Sequence, residues 1–549
     1  MTNPFIHSSC GSSPWWPSVA LALLALAVSG CAVSDPQGRR QSATLQGSSP
    51  PTSLAGALDA VDAALHTGLD TPAEEQAYNA AVENVVQFWT AATDGDTPAQ
   101  RVPQVPGYDV KVIAPADLCF DELILARTVK SKVMNRRVTR DGLGAPYVAH
   151  WTYTEERAKT APFMTKGGYI RPVTATVEVV NGARGGKQAR LTFHETRTEE
   201  TVKLDGKTRP LAADFTAVGE YVVAMKAGSM PKLAALLRSG KYLGDLQLIS
   251  LEPIDGKRIP LIFVHGLMSR PATWQQVYNE LQAVPEIREK YQILFFRYPS
   301  GVPVIYSATK FRENLTTLYT EMDKRGGHQL SYHTVVIGHS MGGLVTKLQV
   351  EQGGEKVWIG IFGKPRSQLH LTAKAESELS RYLDFNPDPH VERVIFAATP
   401  HRGSNMADGT LGSIGRKLVS LPGNLLGGTF TIIQELAPDN GALATLLAKG
   451  VPNSIDNLSP RSQFVKTSMA LPLRPGLKIN TIAGNKKNLP LDNPKAGDGV
   501  VPYSSAHLDG VESELVIAGS GHGVHETPEA QAEIERILLL QLKQDGEIQ

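Results

Sequence analysis

The sequence predicts an α/β protein: a doubly wound, mostly parallel sheet, preceded by an N-terminal helical segment and an accessory β-rich region. Three observations lead there. Short, continuously apolar runs recur in the C-terminal half, at 261–264 (LIFV), 293–296 (ILFF), 334–337 (TVVI), 394–398 (VIFAA), 478–483 (KINTIA) and 514–518 (ELVIA). Between them lie stretches with helical spacing, such as Trp274, Val277, Tyr278 and Leu281, or Phe311, Leu315, Leu318, Tyr319 and Met322, which ends at Gly326 and Gly327. A strand that is apolar throughout has no solvent face, so this alternation implies a parallel sheet covered on both sides. Third, where the run at 334–337 gives way to helical spacing, a serine stands between glycines.

Composition bounds the function. With 549 residues the chain is long enough for three or four units of roughly 150 residues, or for two larger ones behind a leader. Hydrophobic residues at 42% and charged ones at 20% exclude a disordered or collagen-like chain. The balance of 55 Lys and Arg against 54 Asp and Glu gives no global reason to bind nucleic acid. Three cysteines without a CxxC pair exclude a disulfide scaffold, a zinc ribbon and a thioredoxin-type redox site.

The first thirty residues read as a signal peptide. Residues 19–28, VALALLALAV, form an apolar stretch of signal-peptide length, too short to span a bilayer. Ser29 and Gly30 then precede Cys31, which resembles the lipobox of bacterial lipoproteins. The resemblance implies cleavage before Cys31, a lipid on that cysteine, and a place in the bacterial cell envelope. Ala32, rather than Asp, implies the outer membrane. One feature departs from the pattern: Met1 to Ser18 contains no Lys or Arg, and an uncleaved anchor from Trp15 to Val33 is the alternative. Cys119 is then the lone thiol, read as a small buried hydrophobe.

Residues 31–53 have the Ser/Pro/Gly/Gln-rich composition of a tether. Helical spacing follows within 54–104, with Leu54, Leu58, Val61 and Leu65 on one face and Val82, Val85, Val86 and Phe88 in a second run. Residues 105–245 are strand-rich. VTATVEVV at 173–180 and ARLTFHET at 189–196 flank Asn181-Gly182, and ETVKL at 200–204 runs into Asp205-Gly206; both pairs are hairpin signals. His194 is read as a solvated strand histidine, since an HExxH zinc motif would need a second histidine that is missing. Residues 246–549 carry the α/β pattern, with cap insertions at about 354–390 and 405–470. The stretch 411–450 is apolar enough to form a helical cap, either a cover that provides an acyl-chain surface over a site or a packed extra layer without gating function.

The chemistry lies in TVVIGHSMGGLVTKL at 334–348, with Gly338, His339, Ser340, Met341 and Gly342 at the turn. A sharp strand-to-helix turn lifts the serine oxygen above the sheet, and side chains at Gly338 or Gly342 would collide with the neighbouring helix or strand. Together with HGL after the strand at 261–264 and a late D-G and G-H in order, this resembles the α/β-hydrolase superfamily, nearest to bacterial lipases, esterases and PGAP-type serine esterases. The likeness covers roughly 250–549.

It implies Ser340 as nucleophile and the amides of Met341 and Leu267 as oxyanion donors. Asp498 is implied as the acid, with Asp492 and Asp509 as fallbacks. His522 is implied as the base, with His525 as the alternative histidine. His265 would orient the loop behind its strand, and His401, in a TPHxGS-like strand end, would line the floor of the site. Thr527 caps and Pro528 opens the closing helix, whose core face is Ile534, Ile537 and Leu538. GSGHG at 519–523 is not a dinucleotide loop: the third glycine would fall at Val524, on the last strand rather than the first.

The expectation is a serine hydrolase of carboxylic esters, acting on small-molecule or lipid esters, reaching the membrane through its lipid anchor, and using no metal or cofactor. Acyl transfer by the same residues, or a silent scaffold that binds an envelope partner, are the alternatives.

Overall fold

Ser53 accepts a hydrogen bond from the Gly56 amide and starts the helix Leu54–Leu65. Thr71 and Glu74 cap the next helix, Pro72–Ala92, reciprocally, each side chain taking a backbone amide of the other residue. The computed structural model describes residues 50–93, 97–130, 133–182, 186–225, 246–404 and 454–548. The leader, Cys31, the tether up to residue 49 and the cap stretch 411–450 lie outside the described residues. No described helix is long and apolar enough to cross a membrane.

Among its described residues the accessory region builds nine strands: β1 (Tyr108–Ile113), β2 (Glu122–Leu125), β3 (Thr139–Arg140), β4 (Ala145–Trp151), β5 (Tyr169–Asn181), β6 (Lys187–His194), β7 (Thr201–Leu204), β8 (Lys207–Pro210) and β9 (Ala213–Asp214). Five form a sheet in the order β1-β6-β5-β4-β2, with β1 parallel to β6 and the other pairs antiparallel. β5 and β6 pair antiparallel across the Asn181-Gly182 signal, Asn181 opposite Lys187. β7 and β8 close through Asp205 and Gly206, whose φ of 48° and 74° give the two left-handed residues of a type I′ hairpin.

The two capped helices pack on this sheet, and Leu58, Val61, Val82, Val85 and Val86 join Phe120, Leu191 and Phe193 in one core. Trp89 is fully buried in this core, and Phe88 packs against it partly buried. His194 departs from its reading. It is buried, because Thr176 bonds Nε2 at 2.7 Å and Glu199 bonds Nδ1 at 2.8 Å, so both polar edges are satisfied without water. Cys119 is half-buried rather than enclosed.

The second sheet has seven strands: β10 (Gln247–Ser250), β11 (Ile259–Val264), β12 (Tyr291–Arg297), β13 (Thr334–His339), β14 (Val391–Ala397), β15 (Lys478–Asn485) and β16 (Ser513–Ala518). Their order is β10-β12-β11-β13-β14-β15-β16. All pairs are parallel except the edge strand β10, which runs antiparallel to β12.

Alternate side chains of β11 divide between two cores. Ile262 and Val264 face the helices Val304–Asp323 and Met341–Val350, while Leu261 and Phe263 face Gln275–Leu281 and the closing helix Pro528–Gln544. The sheet is therefore covered on both faces, as its uniformly apolar strands require. In the 354–390 insertion, Val357, Trp358, Leu379 and Leu383 join the first of these cores, so this part is a packed layer.

Candidate active site

The site stands at the C-terminal ends of β11, β13 and β15 and just beyond β16. β13 ends at His339, and Ser340 follows with φ 54° and ψ −125°, a left-handed conformation that serine rarely adopts. Close packing holds it there. A Cβ on Gly342 would fall 2.4 Å from the carbonyl oxygens of Val264 and His265, and one on Gly338 would fall 2.6 Å from Gly343 Cα. Glycine at both places lets the helix Met341–Val350 start directly behind the serine.

His522 lies in the loop after β16 and faces Ser340: its Nε2 is 2.8 Å from Oγ, and its Nδ1 is 2.7 Å from Asp498 Oδ2. A carboxylate only accepts, so Nδ1 carries the hydrogen and Nε2 is left to accept the serine proton. Asp498 Oδ1 is fixed by the amides of Val500 and Val501, both at 2.7 Å. The side chain of Asp498 is 2% exposed and that of His522 25%, so the carboxylate is shielded while the imidazole edge meets solvent. Gly484 on β15 lets the acid and histidine loops meet: a Cβ there would lie 3.0 Å from Asp498 Cβ and 2.9 Å from the Gly521 carbonyl oxygen. Asp492 and Asp509 are both exposed, and Asp509 pairs with His507 instead.

The loop after β11 passes against this turn, since a Cβ on Gly266 would fall 2.9 Å from Ser340 Cβ. Tyr298 donates its hydroxyl hydrogen to the His265 carbonyl at 2.6 Å, and the Met268 amide donates to Ser300 Oγ at 2.9 Å. Met268 is left-handed at φ 54°. Among the described residues the Leu267 amide donates no hydrogen bond. The Met341 amide, first in its helix, has no carbonyl one turn behind it within that helix. Both amides are thus without a backbone acceptor among the described residues.

Four further buried histidines belong to the α/β part of the chain. His265 bonds the Gly266 carbonyl at 3.0 Å, stacks on Tyr298, and is pushed down to about 4 by burial. His525 bonds Thr273 Oγ1 at 2.9 Å rather than Ser340, and burial, then the neighbouring His522, hold it down at about 3. His401 is buried edge-on against Phe396, with both ring nitrogens unpartnered among the described residues, and makes no hydrogen bond to the relay there.

The residue that sequence reasoning missed is His339. Its Nε2 donates to the His522 carbonyl at 2.8 Å, tying the strand before the serine to the histidine loop. Burial, then His525 and His522, hold this ring well below its ordinary value, so it stays neutral. The one signal for it is its place directly before Ser340.

Compared with protein-family profiles and with curated sequences, the chain finds no match. Solved structures give distant likenesses. The mature lipase BlEst2 of Bacillus licheniformis is 18% identical with a TM-score of 0.31, over 54% of this chain and 98% of that one. A lipase-esterase related protein of Clostridium acetobutylicum is 17% identical with a TM-score of 0.26, over 51% of this chain and 94% of that one. Esterase B of Lactobacillus rhamnosis, solved with a tributyrin phosphonate inhibitor, is 15% identical with a TM-score of 0.27, over 55% of this chain and 81% of that one.

Proposed function

We propose that the chain is a serine hydrolase of carboxylic esters, built as an α/β-hydrolase. One observation carries the reading: a serine held in a left-handed turn, 2.8 Å from an imidazole whose other nitrogen is 2.7 Å from a shielded carboxylate. In this reading Ser340 Oγ attacks the ester carbonyl while His522 Nε2 takes the hydroxyl proton. Asp498 holds the tautomer and stabilises the imidazolium. The amides of Leu267 and Met341 receive the oxyanion, aided by the helix N terminus behind the serine. His522 then returns its proton to the departing alkoxide, leaving an acyl-Ser340. Water, deprotonated by the same imidazole, cleaves that ester and frees the acid. Every step uses groups of the chain and water.

A lipid ester as substrate is supported by the apolar composition of 411–450 and by the lipobox-like Cys31. The same cysteine supports attachment to the bacterial cell envelope. A series of p-nitrophenyl esters from acetate to palmitate tests the reaction. The reading requires turnover by the wild-type chain that vanishes in Ser340→Ala, with the optimum at long acyl chains if the substrate is lipidic. Equal rates for the two proteins would end it. Metabolic palmitate labelling that persists in Cys31→Ala would remove the anchor.

A further inference from the structure

At the end of β13 away from Ser340, three side chains from separate elements converge. His333 immediately precedes β13, Glu392 is the second residue of β14, and Asp545 follows the closing helix as its C-cap. Their ligand atoms all lie within 4.8 Å of one another. His333 Nδ1 is 2.8 Å from Glu392 Oε2 and 3.2 Å from Asp545 Oδ2.

One ring nitrogen carries at most one hydrogen, so it cannot satisfy both carboxylates. The deficit falls on Asp545, whose side chain is 5% exposed and whose Oδ2 accepts no hydrogen bond among the described residues. Lys478 serves the other two oxygens, with Nζ 2.6 Å from Glu392 Oε1 and 3.6 Å from Asp545 Oδ1. Gln541 adds its amide to Glu392 Oε2 at 3.2 Å. One nitrogen and two oxygens therefore face each other, with two carboxylates against a single lysine.

We propose that His333, Glu392 and Asp545 bind a divalent transition-metal cation of the zinc type through Nδ1, Oε2 and Oδ2, clasping the closing helix to the N-terminal ends of β13 and β14. Zinc takes imidazole and carboxylate ligands at about 2.0–2.2 Å, which sets ligand-to-ligand edges of about 3.4 Å in a tetrahedron. The spacings of 2.8 and 3.2 Å need only a small opening to reach that. Water would complete the tetrahedron.

The test is calorimetric titration of zinc into the chelator-treated full chain at about pH 7.5, where free imidazole is neutral. Cobalt absorption then reports the ligand geometry. The expected result is one equivalent bound, weakened at least roughly tenfold in His333→Ala and in Asp545→Asn, as for a lost ligand or its partner. Binding should survive in His522→Ala, which sets this site apart from the imidazoles near Ser340. Lys478→Met should tighten binding, because it removes a competing positive charge. In a plain ion-pair network that change would only loosen the closing helix. No binding to the wild-type chain, binding unchanged in both ligand variants, or no tightening in Lys478→Met would each overturn the clasp. Should a ligand variant fail to fold by circular dichroism, the wild-type cobalt spectrum and Lys478→Met still decide.

Discussion

Ser340 is held at φ 54° by its neighbours, with its Oγ 2.8 Å from His522 Nε2. Removing that oxygen in Ser340→Ala is expected to lower ester turnover on the order of 10⁴-fold or more, since the groups of such a relay act as a unit. The measurement is kcat/KM on a p-nitrophenyl ester. His339 makes a subtler case. Its Nε2–H holds the His522 carbonyl at 2.8 Å, so His339→Ala should lower kcat roughly tenfold with KM unchanged, the value of about one hydrogen bond. His339→Gln, which can present an amide N–H, should recover most of the loss. Equal kcat in both variants would exclude a positioning role. Ser340, Asp498 and His522 were legible in the sequence because each lies in a short pattern at the end of an apolar run. His339 was not, since only the folded chain brings it beside residue 522. The solvated reading of His194 failed for a related reason: Thr176 and Glu199, which satisfy its ring, come from elsewhere in the accessory region.

Among elements, the turn between β13 and its helix leaves no room for a side chain at Gly342. Gly342→Ala places a methyl 2.4 Å from two backbone carbonyl oxygens of β11 and its loop. It is expected to destabilise the fold by about 1–3 kcal/mol, as overpacking does, and to lower turnover, checked by urea unfolding and esterase assay. The same helix buries an ion pair, Lys347 with Glu351 at 2.9 Å, their side chains 5% and 0% exposed. Burial pushes the Glu351 carboxyl up, and Lys347 with Ser468 draws it back. Lys347→Met leaves that acid without its cation and should cost about 3–5 kcal/mol in the same unfolding measurement, unless Glu351 takes up a proton. Six of the seven strands of the second sheet were legible, because each carries a short apolar run. β10 was not: it is four residues long and sits at an edge, so its composition is ordinary. The β7–β8 hairpin was legible from Asp205-Gly206 after the ETVKL run, because both residues of the pair are left-handed there.

At the scale of the whole molecule, ionised side chains tie the two sheets together. Glu195, next to β6, meets Arg171 and Arg197, and Arg197 reaches on to Glu252, which also takes Arg258 at 2.8 Å. Burial alone would push the Glu195 carboxyl up, but the two arginines hold it at about 2. Its contribution to stability is thus present above its ordinary 4.5 and lost as pH falls towards 2. The buried histidines act in the same direction at higher pH. Unfolded, His265 and His525 take up protons below about 6.5, while folded they resist until about 4 and 3, so the folded state loses ground across that window. Thermal unfolding followed by circular dichroism should give a midpoint that falls steadily below about pH 6.5. A midpoint constant down to pH 4.5 would contradict this assignment of buried neutral rings. The most direct test of the central claim is mass-spectrometric mapping of a fluorophosphonate label on the purified chain. The account predicts one adduct, on Ser340, formed far more slowly in His522→Ala. An adduct on another residue, or none while the chain is folded, would contradict it.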